Sequence, residues 1–362
     1  MKKSAWLNPN ISLSWIRALE KMSTNIPEFT KKDNIECYAL ICEHDENSIE
    51  QERNITYVFL KKNQSVEAWI NVIVKLNPDI IFYNVFPGSL GIQLSKYFKL
   101  NHTIPVRQIM RLHTEPKIAF RNSPEMLKYV DEVICSVSTQ QKFIKNAGFV
   151  GKIHTISFGV DVEFFKYNQP PSHGNQNSNQ NSDQNSDQNK KDIDFISSVD
   201  GNRTFKNAEL VKEVFVELEK LGYTTKNVLG CSKEQLRNIF YRAKVIYNPS
   251  LIEASGGRTL LEAMSCGVVP IVDSESETCC YIIKRLADGD RHITNSGSIY
   301  NNYKQLGYSK EKIPEIVRKL IEIVEEINKN PPGVCYRPRM NVLKNEYSYI
   351  SEIDSIINVL IN

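Results

Sequence analysis

The sequence predicts an α/β protein of two doubly wound domains, each built on a parallel sheet. Three observations predict it. Strand-like and helical segments alternate from Ile35 to Phe158, and the same grammar returns from Ile193 to Asn328. Between them lies a polar repeat, NQNS NQNS DQNS DQN, which contains nothing to bury. Strands that alternate with helices imply βαβ units and hence parallel pairing.

In the first half, apolar strands are expected at Ile35 to Cys42, Asp79 to Asn84, Val106 to Leu112, Glu132 to Ser136 and Ile153 to Phe158. Helices are expected at Val66 to Leu76, Leu90 to Leu100, Ser123 to Tyr129 and Thr139 to Ala147, the last closed by Gly148. In the second half, strands are expected at Ile193 to Val199, Val245 to Tyr247 and Val268 to Val272. Helices are expected at Ala208 to Leu221, Lys233 to Arg242, Arg258 to Met264, Pro314 to Asn328 and Tyr347 to Leu360. The domain boundaries read 1–166, a polar linker or insertion at 167–192, 193–345, and a C-terminal helix at 346–362 that packs back toward the first domain. The linker lacks the apolar residues needed to offset the entropy of ordering and is expected to be disordered.

Composition narrows the function. The chain has 362 residues, which suits two domains of about 150 residues each. Lys plus Arg number 45 against 42 for Asp plus Glu, so no global field points to nucleic acid or an anionic membrane. No apolar run approaches the roughly 18 residues that span a bilayer, and the start, MKKSAWLNPNISLSW, lacks the apolar core of a signal peptide. The expected compartment is the cytosol. The eight cysteines are scattered with no CxxC pair, as expected of reduced, buried thiols, and no His cluster stands at zinc spacing. No metal and no cofactor are expected. Peripheral membrane contact through Trp6, Trp15, Lys31 and Lys32 is a weaker expectation.

The most informative stretch is NPSLIEASGGRTLLEAMSCGVVPIV, from Asn248 to Val272. A polar loop and a Ser-Gly-Gly bend lead into a short amphipathic helix and then a buried strand. The loop-to-helix junction offers free backbone N–H groups and the positive end of a helix dipole, which suit a phosphate. Glu253 and Glu262 flank the junction and can accept hydrogen bonds from sugar hydroxyls. Diphosphate plus hydroxyl-rich rings describes a nucleotide-sugar. In open α/β sheets ligands sit beyond the carboxyl ends of strands, where both His113 and the Glu253 loop fall.

These residues resemble the GT-B glycosyltransferases, most closely the retaining family four. Pro249, Ser250, Glu253, Gly256, Leu261, Glu262, Ala263, Met264, Cys266, Gly267, Val269 and Pro270 follow that family's donor-site pattern in order. The runs FGVDVEFF, from Phe158, and VDEVICSVSTQQKFIKNAG, from Val130, resemble its other landmarks. The resemblance implies two Rossmann-like domains facing across a cleft, and a sugar moved from a nucleotide-sugar donor to a sugar, lipid or protein acceptor. It implies that Glu262 holds the ribose and Glu253 contacts the donor sugar. Backbone around Thr259, Leu260 and Leu261 would hold the diphosphate, with Gly256, Gly257 and Arg258 also donor-binding. Lys206 would neutralise the diphosphate charge, and His113 would orient the sugar.

The sequence departs from the pattern in three places. Eight residues separate Glu253 from Glu262, where the family has seven. Either the Ser255-Gly256-Gly257 bend absorbs one residue, or Ala254 takes the first glutamate's place. Gly201 stands where the family has a phosphate-binding arginine, so Arg203 or Arg258 would substitute. The stretch between Leu221 and Val228 has no room for the usual extra strand and helix, and Asn8-Pro9-Asn10 stands where a glycine-rich loop is usual. The alternative to an enzyme is a catalytically inactive GT-B-like protein that binds a nucleotide-sugar or acts as a scaffold.

Overall fold

A computed structural model describes residues 2–7, 35–44, 47–52, 55–61, 64–83, 89–101, 105–112, 124–166, 191–199, 201, 204–251, 253, 257–286, 289–301, 304–330, 338–339, 342–343 and 347–361. The polar repeat, Asn8-Pro9-Asn10, Trp15, Lys31 and Lys32 lie outside the described residues. The chain divides into two compact units, Met1–Ser157 with Tyr349–Asn362, and Phe158–Ser348.

The first unit is built on an eight-stranded sheet. Its strands are β1 (Lys2–Leu7), β2 (Ile35–His44), β3 (Ser48–Glu52), β4 (Ile55–Lys61), β5 (Ile80–Tyr83), β6 (Arg107–Arg111), β7 (Glu132–Cys135) and β8 (Lys152–Thr155). Their order is β3-β4-β2-β1-β5-β6-β7-β8. All pairings are parallel except the β3–β4 hairpin at one edge. The sequence reading placed no strands there.

Helices α1 (Val66–Leu76), α2 (Ser89–Leu100) and α3 (Gln140–Asn146) belong to this unit. Local chemistry sets the ends of α1. The Ser65 hydroxyl accepts from the Ala68 N–H at 3.3 Å, and Asn77 closes the helix in the left-handed region at φ 48°. Trp69 and Ile73, four apart and so on one face, are buried beneath it. The segment expected as a helix at 123–129 is instead a 3-10 turn, Pro124–Lys128.

Because side chains alternate across a strand, the two sheet faces serve different partners. Ile81, Tyr83, Met110, Val133 and Cys135 pack with Trp69, Ile73, Leu94 and Phe98. Ile80, Phe82, Ile109, Ile134 and Ile156 pack with Ile356 and Val359 of the C-terminal helix α9 (Tyr349–Ile361). The C-terminal helix therefore completes the first unit, as expected. An ion pair fastens it: Arg111 on β6 meets Glu352 at 2.6 Å, with both side chains fully buried.

The second unit holds a five-stranded parallel sheet in the order β10-β9-β11-β12-β13. These strands are β9 (Ile193–Ser197), β10 (Thr225–Asn227), β11 (Ala243–Asn248), β12 (Val269–Asp273) and β13 (Ile293–Thr294). An antiparallel hairpin follows, β14 (Ile299–Asn301) with β15 (Lys304–Gly307). The helices are α4 (Ala208–Lys220), α5 (Lys233–Arg242), α6 (Arg258–Ser265), α7 (Glu277–Ile283) and α8 (Ile313–Lys329).

One face of the sheet packs Phe195, Val245, Tyr247, Val269 and Ile271 against α4 and α8. The other packs Ile196, Ile246 and Val272 against Leu260, Leu261 and Met264 of α6. The three-residue β10 follows α4 after a short turn, and α5 begins at Lys233. One short strand thus takes the space left by the shortened segment. Ser232 and Gln235 form a reciprocal capping box that starts α5 sharply after it.

Candidate functional site

The site is assembled where β9, β11 and β12 end. Strand β11 is apolar and buried until Asn248, whose carbonyl Oδ1 accepts from the Ser250 N–H at 3.2 Å and turns the chain. Pro249 and Ser250 follow, and Ser250 is fully buried. From the loop after β9 comes a 3-10 turn, Thr204–Lys206. The Leu251 N–H donates to the Phe205 carbonyl at 2.9 Å and ties the two loops together.

Asn207 adds a second tie. It lies in the left-handed region at φ 58° and is 1% exposed. Its Nδ2 donates to the Pro249 carbonyl at 2.9 Å and to Ser298 Oγ at 3.1 Å. The network continues through Ser296, whose Oγ lies 2.6 Å from that of Ser298 and whose N–H donates to Asp273 Oδ2 at 2.9 Å. Asp273 ends β12 and is fully buried; burial raises its carboxyl above the usual range, opposed by these hydrogen bonds.

Two of the expected residues meet on this platform. The Lys206 ammonium donates to Glu253 Oε1, and the two side chains are only 14% and 13% exposed. Glu253 also reaches the start of α6. A Cβ built on Gly257 would lie 3.5 Å from Glu253 Cδ and 3.5 Å from Asn248 Nδ2. Gly257 is the N-cap at φ 73°, a conformation that favours glycine. Gly257 supplies no side-chain cap to α6, and the Glu253 carboxyl lies beside this end of the helix. The Leu260 and Leu261 N–H groups both turn back to the Gly257 carbonyl, at 2.9 and 3.2 Å, and both side chains are core. A ligand at this end would therefore meet backbone from Gly257 to Thr259 before it met these leucines.

Glu262 sits one turn into α6, four residues after Arg258. It is 5% exposed, and no described residue hydrogen-bonds its carboxyl. Burial raises that carboxyl to about 7, against the pull of Arg258 and Lys233. Arg258 lies over the Phe158 ring at 5.4 Å.

The structure thus brings Lys206, Glu253 and Gly257 together and places Arg258, Thr259 and Glu262 on the helix that follows. His113, Arg203 and Gly256 lie outside the described residues. Sequence reasoning missed Asn207, Asn248, Ser298 and Asp273. Asn207 carried one local signal, its place just after Lys206 and just before α4. Among the described residues no group of three or more His, Cys, Asp or Glu side chains stands together as a metal site would require.

Solved structures align with nearly the whole chain. One is the complex of Anabaena HepE with UDP-glucose, at a TM-score of 0.65 and 12% identity over 99% of each chain. The fold is GT-B. A glycosyltransferase from Rickettsia africae matches at 0.61 and 12% identity, over 99% of this chain and 97% of that one. The UDP-forming trehalose-phosphate synthase of Burkholderia xenovorans, in complex with glucose-6-phosphate, matches at 0.60 and 10% identity, over 99% and 100%. No family model matches the sequence, and no curated protein matches it. In this GT-B chain the Asn248–Val272 segment supplies the strand end, the start of α6 and both glutamates.

Proposed function

We propose that the chain is a retaining glycosyltransferase of the family-four type, moving a sugar from a nucleotide-sugar donor to an acceptor. The observation that carries the reading is the convergence of a cation, a carboxylate and a helix N-terminus that begins on a glycine. Lys206 and Glu253 are in contact at the Gly257 end of α6, and buried Glu262 lies one turn further on. The diphosphate accepts from the N–H groups of Gly257, Arg258 and Thr259, where the helix dipole favours negative charge. Lys206 stabilises the charge that grows on the leaving diphosphate, a role for a fixed, poorly hydrated cation. Glu253 accepts from donor-sugar hydroxyls, and Glu262 accepts from the ribose. The cytosol suits the free thiols of Cys135, Cys231, Cys266, Cys279 and Cys280. No helix among the described residues is long and apolar enough to cross a membrane.

The test is turnover across UDP-, GDP- and ADP-sugars with a broad acceptor pool. Transfer or slow hydrolysis of one donor, abolished by Glu262→Ala in a folded protein, supports the reading. Clean binding of a donor without turnover of any sinks it. That second outcome fits an inactive nucleotide-sugar-binding protein, which the eight-residue spacing between Glu253 and Glu262 favours.

A further inference from the structure

We infer that Glu253, by competing for Lys206, makes the site discriminate an intact nucleotide-sugar from the nucleoside diphosphate left after transfer. The inference rests on the donor-site reading above and adds a specificity role to it. Lys206 already has an anionic partner before any ligand arrives. Its ammonium donates to Glu253 Oε1. Both side chains are largely out of solvent, at 14% and 13% exposed, so the attraction is screened far less than at a surface. Carboxylate and phosphate oxygens are alternative partners for the same ammonium, and charge-assisted bonds to it are the strong kind.

Geometry sets the two partners in competition for Lys206. Glu253 Cδ lies 3.5 Å from the point that a Cβ on Gly257 would occupy, beside the N-cap of α6. A diphosphate bound to those N–H groups and to Lys206 would bring two negative charges against this carboxylate. Like charges brought together in a partly dehydrated site repel. Glu253 therefore gives up its hold on Lys206 as the diphosphate enters. A displaced carboxylate with little access to water needs new hydrogen-bond donors, since an unpaired buried charge is costly. The hydroxyls of a donor sugar supply them; a nucleoside diphosphate has nothing to offer on that side. Intact donor thus compensates the lost ion pair, and the product leaves the carboxylate stranded.

The test is calorimetric binding of UDP, GDP, ADP and their glucose conjugates to the wild-type protein, Glu253→Gln and Lys206→Met. The nucleotide that the wild type binds best is then carried through all variants. With Glu253→Gln the neutral amide no longer competes or repels. The nucleoside diphosphate is expected to bind about tenfold tighter than to wild type, while the sugar conjugate gains nothing, so the preference for donor collapses. Lys206→Met is expected to weaken both ligands. Glu253→Ala repeats the test if the Gln variant fails to fold. A diphosphate that binds either folded Glu253 variant no tighter than wild type overturns the inference and leaves the donor-site reading standing. A wild-type protein that binds none of the six ligands overturns both.

Discussion

Glu262 carries the sharpest physical prediction in the chain. It is 5% exposed in the core of the second unit, and burial raises its carboxyl from 4.5 to about 7. A folded-state value above the unfolded one means that the folded protein holds the proton more tightly. Below the unfolded value the group is neutral in both states and exerts no penalty. As pH rises from there, the unfolded chain ionises first, and stability falls until the folded group also ionises near 7. Each tenfold change in proton affinity is worth about 1.4 kcal/mol, so the full penalty above pH 7 is roughly 3 kcal/mol. Most of it, roughly 2–3 kcal/mol, develops between pH 5 and 8.

Glu262→Gln keeps the shape and removes the titration. The variant is expected to gain on wild type by that amount as pH is raised from 5 to 8. The readout must report on the second unit. Trp69 is buried in the first unit and no tryptophan lies between residues 158 and 348, so tryptophan fluorescence would miss the effect. Hydrogen exchange of peptides spanning 258–272, followed against urea for both proteins at each pH, reads it directly. A variant-minus-wild-type difference that stays flat from pH 5 to pH 8 refutes the reasoning.

Two further outcomes are expected. The buried Arg111–Glu352 pair at 2.6 Å holds the C-terminal helix to β6. Glu352→Leu alone takes the ion-pair partner from the buried guanidinium and is expected to cost about 3–5 kcal/mol, read by urea unfolding of Trp69 fluorescence. Arg111→Met combined with Glu352→Leu should recover much of that loss. Asn207 holds φ 58° and three loops at once. Asn207→Gly keeps the backbone and loses the hydrogen bonds, about 1–2 kcal/mol. Asn207→Ala adds about 1 kcal/mol of backbone strain. Hydrogen exchange across 204–211 ranks them, and equal losses would refute the strain argument.

Much of the fold was legible because local chemistry and tertiary burial agree along most elements. Helix α1 runs as expected, since Ser65 and Asn77 mark its ends and Trp69 and Ile73 mark its face. Helix α5 also matches, from the capping box to Arg242. Strand β5 begins at Ile80, one residue later than expected, because Asp79 is exposed and only the apolar residues from Ile80 are buried. The β3–β4 hairpin escaped notice for a physical reason. Strand β3, SIEQE, is a polar edge strand with Ile49 72% exposed, so it carries no buried alternation to detect. The hairpin of β14 and β15 is likewise short and at the margin of its unit. At the site, the continuous segment Asn248–Val272 was readable because its residues are neighbours in sequence. Ser298 was not, since it meets Asn207 across 91 residues and serine has no spacing signal.

The buried polar groups at the strand ends explain why the candidate site has its form. A parallel sheet leaves its loops to find partners beyond the ladder, and every buried polar group there needs one. The loops leaving β9, β11 and β12 bond to one another. Phe205 binds Leu251, Asn207 binds Pro249 and Ser298, and Asp273 binds Ser296 and Glu275. These bonds hold the backbone on either side of Lys206, and at Leu251 ahead of Glu253, without help from a ligand. What remains free to rearrange is a side-chain contact, the Lys206–Glu253 pair, and it stands where negative charge is favoured. If the site takes the nucleotide-sugar proposed above, an anion would be met by an exchange of side-chain partners at this pair, and discrimination between ligands would rest on residue 253.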